Sequence, residues 1–325
     1  MVGRPNEMLP ARRPVVAVHV AVVSRGLLGD LPEPVVAAAQ VLQQQPVVMV
    51  VLAVAPEGVG RAVAPLEGVI PEVVDAVFLA AIKEGRKRSA GHIRLPENES
   101  FTVEYVTGKS WSGYNWYLGN ARSRVDLNTD LPIYAYRLTD LLAHEGYPGH
   151  HTEHLLKERL YTEQGFGEHA LQLINTPECL ISEGISTTAE SMVFSPEELA
   201  AFRREHVYPA AGITGDPERE IAINAARARL SSVPSNAALL LHEAGADPED
   251  VVAYLQRYGL STEAEARQRL RFISDPLWRA YIFTYDVGRE LVLNWLGAGP
   301  EATRRQRYAR LLTEQMTPSQ LVASV

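Results

Sequence analysis

The stretch LLAHEGYPGHHTEH, residues 141–154, holds four of the chain's nine histidines, with Glu145 beside the first of them. Its flanks have helical periodicity, yet Gly146, Pro148 and Gly149 stand in the middle, so no unbroken helix passes through it. Proline removes an amide donor, and its ring meets the carbonyl four residues back, here that of His144. The neighbouring glycines supply the dihedral freedom that a kink or bulge demands. Ligand geometry makes the break meaningful. In H-E-x-x-H, two histidines one turn apart reach a single ion, and the glutamate is left free as general base. In a straight helix His150 would lie ~120° off the face of His144, whereas His151 would share that face but ~10.5 Å along the axis. A bulge at the Gly-Tyr-Pro-Gly insert returns His150 to the place of the second ligand. The plainer alternative is that the insert ends one helix and starts another, leaving the histidines in solvent.

The single cysteine, Cys179, excludes a Cys-rich zinc site, so any metal must be held by His, Asp or Glu,. It also creates no need for an oxidising compartment. A formal net charge of −8 excludes broad nucleic-acid binding, which requires a basic face,. The apolar run VVMVVLAVA (47–55) is about half the ~20 residues of a spanning helix, so no membrane partner is expected,. The opening ARRPVVAVHVAVV faintly resembles an export signal but contains His19 and lacks a small-x-small cleavage site,. A cytoplasmic location is the expectation.

The chain changes character near residue 70. Residues 1–70 are rich in Val, Ala and Pro and contain no Phe, Tyr or Trp, so they are read as a weakly specified segment,. Residues 71–325 are read as the functional domain. PEVVDAVFLAAIKEGRKR (71–88) reads as an amphipathic helix, and SFTVEYVT (100–107) and SRVDLNTD (123–130) alternate as strands do,. WSGYNWYLGN (111–120) reads as a loop or wide hairpin. From 133 onward nearly everything has helical periodicity, including 178–193, 217–244 and 276–297. The fold class is therefore mostly α (α+β), multi-helical, with a small antiparallel sheet preceding the motif helix.

A catalytic zinc site keeps three protein ligands and one open position, and His₂Glu is an established set. NTPECLISEGISTTAES (175–191) carries Glu178, Glu183 and Glu190 on a helix that is otherwise small and apolar. Glu183 is the candidate third ligand. Glu190, seven residues on and on the same face, is the candidate that orients a histidine from behind.

At these residues the chain resembles a bacterial family of unknown function in the gluzincin-like metallopeptidase clan. That family's pattern is H-E-x-x-P-G-H-H followed by E-G-x-x-x-x-x-E; here the strings are HEGYPGHH and EGISTTAE. The likeness runs from about residue 75 to 297 and takes in SRVDLNTD and FTYDVGREL (283–291). It implies a metallopeptidase-like domain with His144, His150 and Glu183 as ligands and Glu145 as base, and His151 competes for the second ligand. It further implies an edge strand, Arg124 to Asn128, pairing with a substrate backbone. Tyr285 is the position for a hydroxyl that stabilises the oxyanion, and Arg289 for a group that holds a substrate carboxylate. Family members carry an N-terminal helical lobe, which residues 1–70 do not resemble.

The expected function is hydrolysis of peptide bonds with one Zn²⁺, another divalent metal being open, and a peptide as partner. The rivals are a catalytically inactive metal- or peptide-binding domain derived from such an enzyme, and a metal-free helical interaction protein. Cleavage specificity, internal versus terminal cutting and oligomeric state are not legible.

Overall fold

The structure, a computed structural model, describes residues 71–323. The segment 1–70 lies outside the described residues. Helices dominate and one small sheet precedes the motif region, as the mostly α, α+β expectation has it. The first described element is helix α1 (Pro71–Ala90). It buries Val77, Phe78 and Ala81 in a core shared with helix α2 (Ala135–Glu145).

Between them lie β1 (Ser100–Val106), β2 (Gly113–Gly119) and β3 (Arg122–Asn128), in the order β1-β3-β2. β2 and β3 form an antiparallel hairpin around Asn120 and Ala121, whose positive φ values of 54° and 55° match the turn that suits strand twist,. β1 pairs with β3 in parallel, so the sheet is mixed rather than wholly antiparallel. The cause is β2, in the stretch expected to be a loop or wide hairpin. Its aromatic residues favour a pleated surface. By carrying the chain back across the sheet, it makes β1 and β3 run the same way.

Helix α3 (His150–Gln164) follows the insert, and α4 (Pro177–Thr188) is started by Thr176, whose side chain accepts from the Cys179 amide. Short helices α5 (Glu190–Val193), α6 (Pro196–Phe202) and α7 (Tyr208–Ala211) lead to α8 (Pro217–Arg227) and α9 (Val233–His242). The helix expected over 217–244 is thus split, because Pro234 fits the first turn of α9 but not a helix interior,. Then come α10 (Pro248–Gly259), α11 (Glu263–Ser274), α12 (Ile282–Leu296), α13 (Glu301–Thr313) and α14 (Pro318–Ala323). Helices α4 and α12 cross in near backbone contact: a Cβ on Gly184 would lie 2.4 Å from the Gly288 carbonyl oxygen. Only glycine permits that approach. Three apolar clusters adjoin, and the motif residues lie where α2, α3, α4 and α12 converge.

Candidate metal centre

The Gly-Tyr-Pro-Gly insert breaks the helix outright. Gly149 donates its amide to the Ala143 carbonyl at 2.9 Å, and α3 begins at the next residue. A side chain at 149 is impossible without rearrangement, since a Cβ would stand 1.9 Å from the His144 carbonyl oxygen. Tyr308 of α13 ties the insert to α4, its hydroxyl within reach of the carbonyls of Pro148 (3.2 Å) and Ile185 (3.1 Å).

The break does not leave the histidines in solvent. It brings the rings of His144 and His150 to 4.9 Å between centroids. Glu183 completes a triad: its Oε2 lies 3.4 Å from His144 Nε2, and its Oε1 lies 3.3 Å from His150 Nε2. These separations are close to the ~3.4 Å expected between ligands of a tetrahedral site with ~2.1 Å bonds. One donor atom from each of the three falls within 4.8 Å of the others. Together they can hold a metal ion.

The charges fit a cation. Glu183 is buried, and among the described residues its ion-pair partners are the two histidines, with no lysine or arginine. Among the described residues its Oε2 has no hydrogen bond, and its Oε1 accepts from Tyr281 Oη at 2.5 Å. Burial alone would raise the Glu183 carboxyl, but the charges of His150 and His144 and the Tyr281 bond outweigh it and hold it below the usual range. A buried anion so placed calls for a positive charge between the imidazoles.

Glu145 ends α2 with its carboxylate in the same cleft, close against Gly113 of β2, and among the described residues its buried Oε2 has no partner. Burial raises its pKa, against the pull of His144 and His150 and with the push of Glu183. A carboxyl shifted that way suits a group that takes and returns a proton. Asn115 of β2 donates to the Glu145 backbone carbonyl at 2.6 Å, fixing the end of the helix.

His150 is oriented by residues the sequence reading did not single out. Ser182 Oγ donates to Glu153 Oε2 at 2.5 Å and lies 3.2 Å from His150 Nδ1. The hydroxyl proton is committed to the carboxylate, so Nδ1–H donates to the serine oxygen and Nε2 is the nitrogen turned to Glu183. Lys157 anchors Glu153 at 2.6 Å and Glu178 at 2.9 Å, which removes Glu178 from the triad. The spacing of Glu153, three residues after His150 on one helix face, was the available signal. His154 stacks parallel on His150 at 5.7 Å, and burial pushes its pKa down to about 3, so it is a neutral wall of the cleft.

Four expectations need correction. His151 points away from the triad: it is fully buried, with Nδ1 2.7 Å from Ser123 Oγ and Nε2 3.1 Å from Glu99 Oε2. One residue along α3 is 100° around it, which decides between neighbours. Glu190 orients no histidine; it sits 3.4 Å from Arg203 Nη2, because α4 ends at Thr188 and the chain turns before Glu190. Arg124 to Asn128 is not an edge strand, since β3 is bonded on both sides. Arg124 pairs with Asp126 and Glu104, and Asn128 staples the carbonyls of Lys109 and Trp111. Arg289 does not line the cleft; the charge it meets is that of Asp140. Tyr285 does line it, as do Tyr114 and Tyr281. Tyr281, one turn before Tyr285, went unnoticed because aromatic spacing on a helix reads as ordinary packing.

No family model matches the chain, and no curated protein matches it. A solved structure, described as "the putative lipoprotein from Colwellia psychrerythraea", matches with a TM-score of 0.53 over 77% of this chain at 16% identity. The chain spans 41% of the length of that protein. At that identity the likeness concerns the fold alone.

Proposed function

We propose that the chain is a metal-dependent hydrolase, a zinc peptidase with Glu145 as general base. The observation that carries this is the convergence of His144, His150 and Glu183 beside a buried carboxylate oxygen of Glu145 that has no partner among the described residues. The motif pair HEGYPGHH and EGISTTAE, with its resemblance to the gluzincin-like clan, supports the same assignment. A zinc ion held by the three would supply Lewis acidity to a substrate carbonyl and to the attacking water. Glu145 takes the proton of that water and delivers it to the leaving amine. The hydroxyl of Tyr285, kept protonated because burial raises its pKa, donates to the developing oxyanion,. Among the described residues no strand pairs with the outer side of β2, so an extended peptide would add there rather than at β3,.

The test is metal content of untagged protein, followed by Glu145→Gln. About one zinc per chain, lost in His144→Ala, with turnover abolished but zinc kept in Glu145→Gln, is the expected result. Zinc without cleavage of any peptide would point to a non-catalytic binding domain. No uptake of zinc, manganese, cobalt or iron would end the metal assignment.

No helix of the described residues is long and apolar enough to cross a membrane. A cytoplasmic location is part of this proposal, and cell fractionation of the native protein tests it; recovery outside the cytoplasm would align the chain with the description of its structural neighbour.

A further inference from the structure

The cleft beside the triad has a wall of aromatic rings. Trp111, just before β2, and Tyr114 within it line the cleft with Phe272 of α11, Trp278, Tyr281 at the N-terminal cap of α12 and Tyr285 within α12. The rings touch in series: Trp111 to Tyr114 at 5.6 Å, Tyr114 to Trp278 at 6.1 Å, Trp278 to Tyr281 at 5.4 Å and Tyr281 to Tyr285 at 5.5 Å. Phe272 stacks behind Trp278 at 5.7 Å. This wall joins two segments more than 150 residues apart, and most of its members are half-buried rather than sealed in the core. Ring surface left open beside a reactive centre is what binds an apolar group.

The charges of the cleft narrow the occupant further. Among the described residues no lysine or arginine lines it, and the ionisable groups that do line it include Glu145 and Glu183 beside the histidines of the metal centre. Apart from the metal centre itself, a free carboxylate would find no guanidinium or ammonium group among these lining residues: Arg289, the residue expected to supply one, is elsewhere, and Arg269, which meets the charge of Tyr285, does not line the cleft. Size sets the third limit. The cavity amounts to about 120 Å³, against the ~150 Å³ that accommodates benzene in an apolar protein cavity. It has room for no more than one side chain of about ring size, with its mouth open to the rest of an extended peptide.

We infer that this cleft selects a large apolar or aromatic residue next to the scissile bond and does not recognise a chain-terminal carboxylate. The inference rests on the peptidase reading for the class of ligand and adds the specificity. It makes the chain a cutter within peptides, or from their amino ends, rather than a carboxypeptidase.

Binding is measured apart from cleavage so that the two readings can fail separately. The probes are acetylated peptide amides Ala-Ala-Xaa-Ala, with Xaa Phe, Leu, Ala, Asp or Lys, and the Phe peptide also as its free acid. Tryptophan fluorescence of zinc-treated Glu145→Gln protein reports affinity, and wild-type protein reports cleavage. The Phe and Leu peptides should bind on the order of tenfold or more tighter than the Ala peptide, the worth of filling an apolar pocket. Acid and amide should bind alike. Tyr114→Ala should flatten the series; should that variant unfold, Phe272→Leu, which keeps an apolar core residue, should reduce the preference for Phe over Leu. A flat series, a preference for Asp or Lys, a marked gain from the free carboxylate, or no binding would each overturn the inference. Selective binding without hydrolysis would uphold it and remove the hydrolase reading; hydrolysis with a flat series would do the reverse.

Discussion

Substituting Gly184 by alanine tests how the site is held together, whatever the metal. Gly184 follows the candidate ligand Glu183 directly and sits at the crossing of α4 and α12. A Cβ there would lie 2.4 Å from the Gly288 carbonyl oxygen, 2.8 Å from its carbonyl carbon and 2.6 Å from Val292 Cγ2, where ordinary contact starts at 3.4 Å. Two of these three atoms are backbone, so a rotamer change cannot relieve the clash and the helices must part by about 1 Å. Overpacking of this kind costs typically ~1–3 kcal/mol, with the upper end apt when backbone must move. In an exposed helix the same substitution would gain ~1 kcal/mol from propensity. The net expectation is a loss of about 2 kcal/mol, and the sign itself is diagnostic. For a domain of this size it corresponds to a fall in Tm of roughly 4–8 °C by thermal melting followed by circular dichroism. Separation of α4 from α12 also draws Glu183 away from Tyr281, so zinc affinity by competition with a chelator should weaken in the same variant. An unchanged or raised Tm would refute the close helix crossing.

Three further outcomes follow from the site. His150→Ala should abolish metal binding whereas His151→Ala should leave the metal content intact and lower Tm, because His151 is buried against Ser123 and Glu99; elemental analysis of both proteins decides it, and loss of metal in His151→Ala would reverse the ligand assignment. Tyr281→Phe removes the 2.5 Å bond to Glu183 and should weaken zinc binding about 10–100-fold, the usual cost of losing a partner behind a ligand,; equal affinity in a chelator titration would show the bond to be incidental. For Glu99, burial would raise the carboxyl, but hydrogen bonds from His151, Tyr147 and Arg86 win and hold it at about 2. The folded value lies below the unfolded one, so this stabilisation is complete above pH ~4.5 and fades as pH falls toward 2. Urea midpoints across that range should fall less steeply with acid in Glu99→Gln than in wild type, and parallel curves would contradict it.

What the sequence determined by itself was local. Pro148 between Gly146 and Gly149 could only interrupt a helix, and the period of the apolar residues marked most of the helices. The residue types in HEGYPGHH and EGIS limited a metal to imidazole and carboxylate ligands, because a lone cysteine leaves no other donors. The tertiary structure decided everything that depends on direction. A difference of one position turns a helical side chain by 100°, so His150 meets Glu183 while His151 meets Glu99, and no count along the chain separates them without knowing how the break is folded,. The paired edges of β3 were invisible because the aromatic stretch between the two evident strands is itself a strand. Tyr281, Ser182 and Glu153 act through contacts across 98, 32 and 29 residues. Such groups carry no local signature, since a tyrosine in a helix looks the same whether it packs or holds a carboxylate. Only the crossing of α4 over α12 at Gly184 and Gly288 makes the difference.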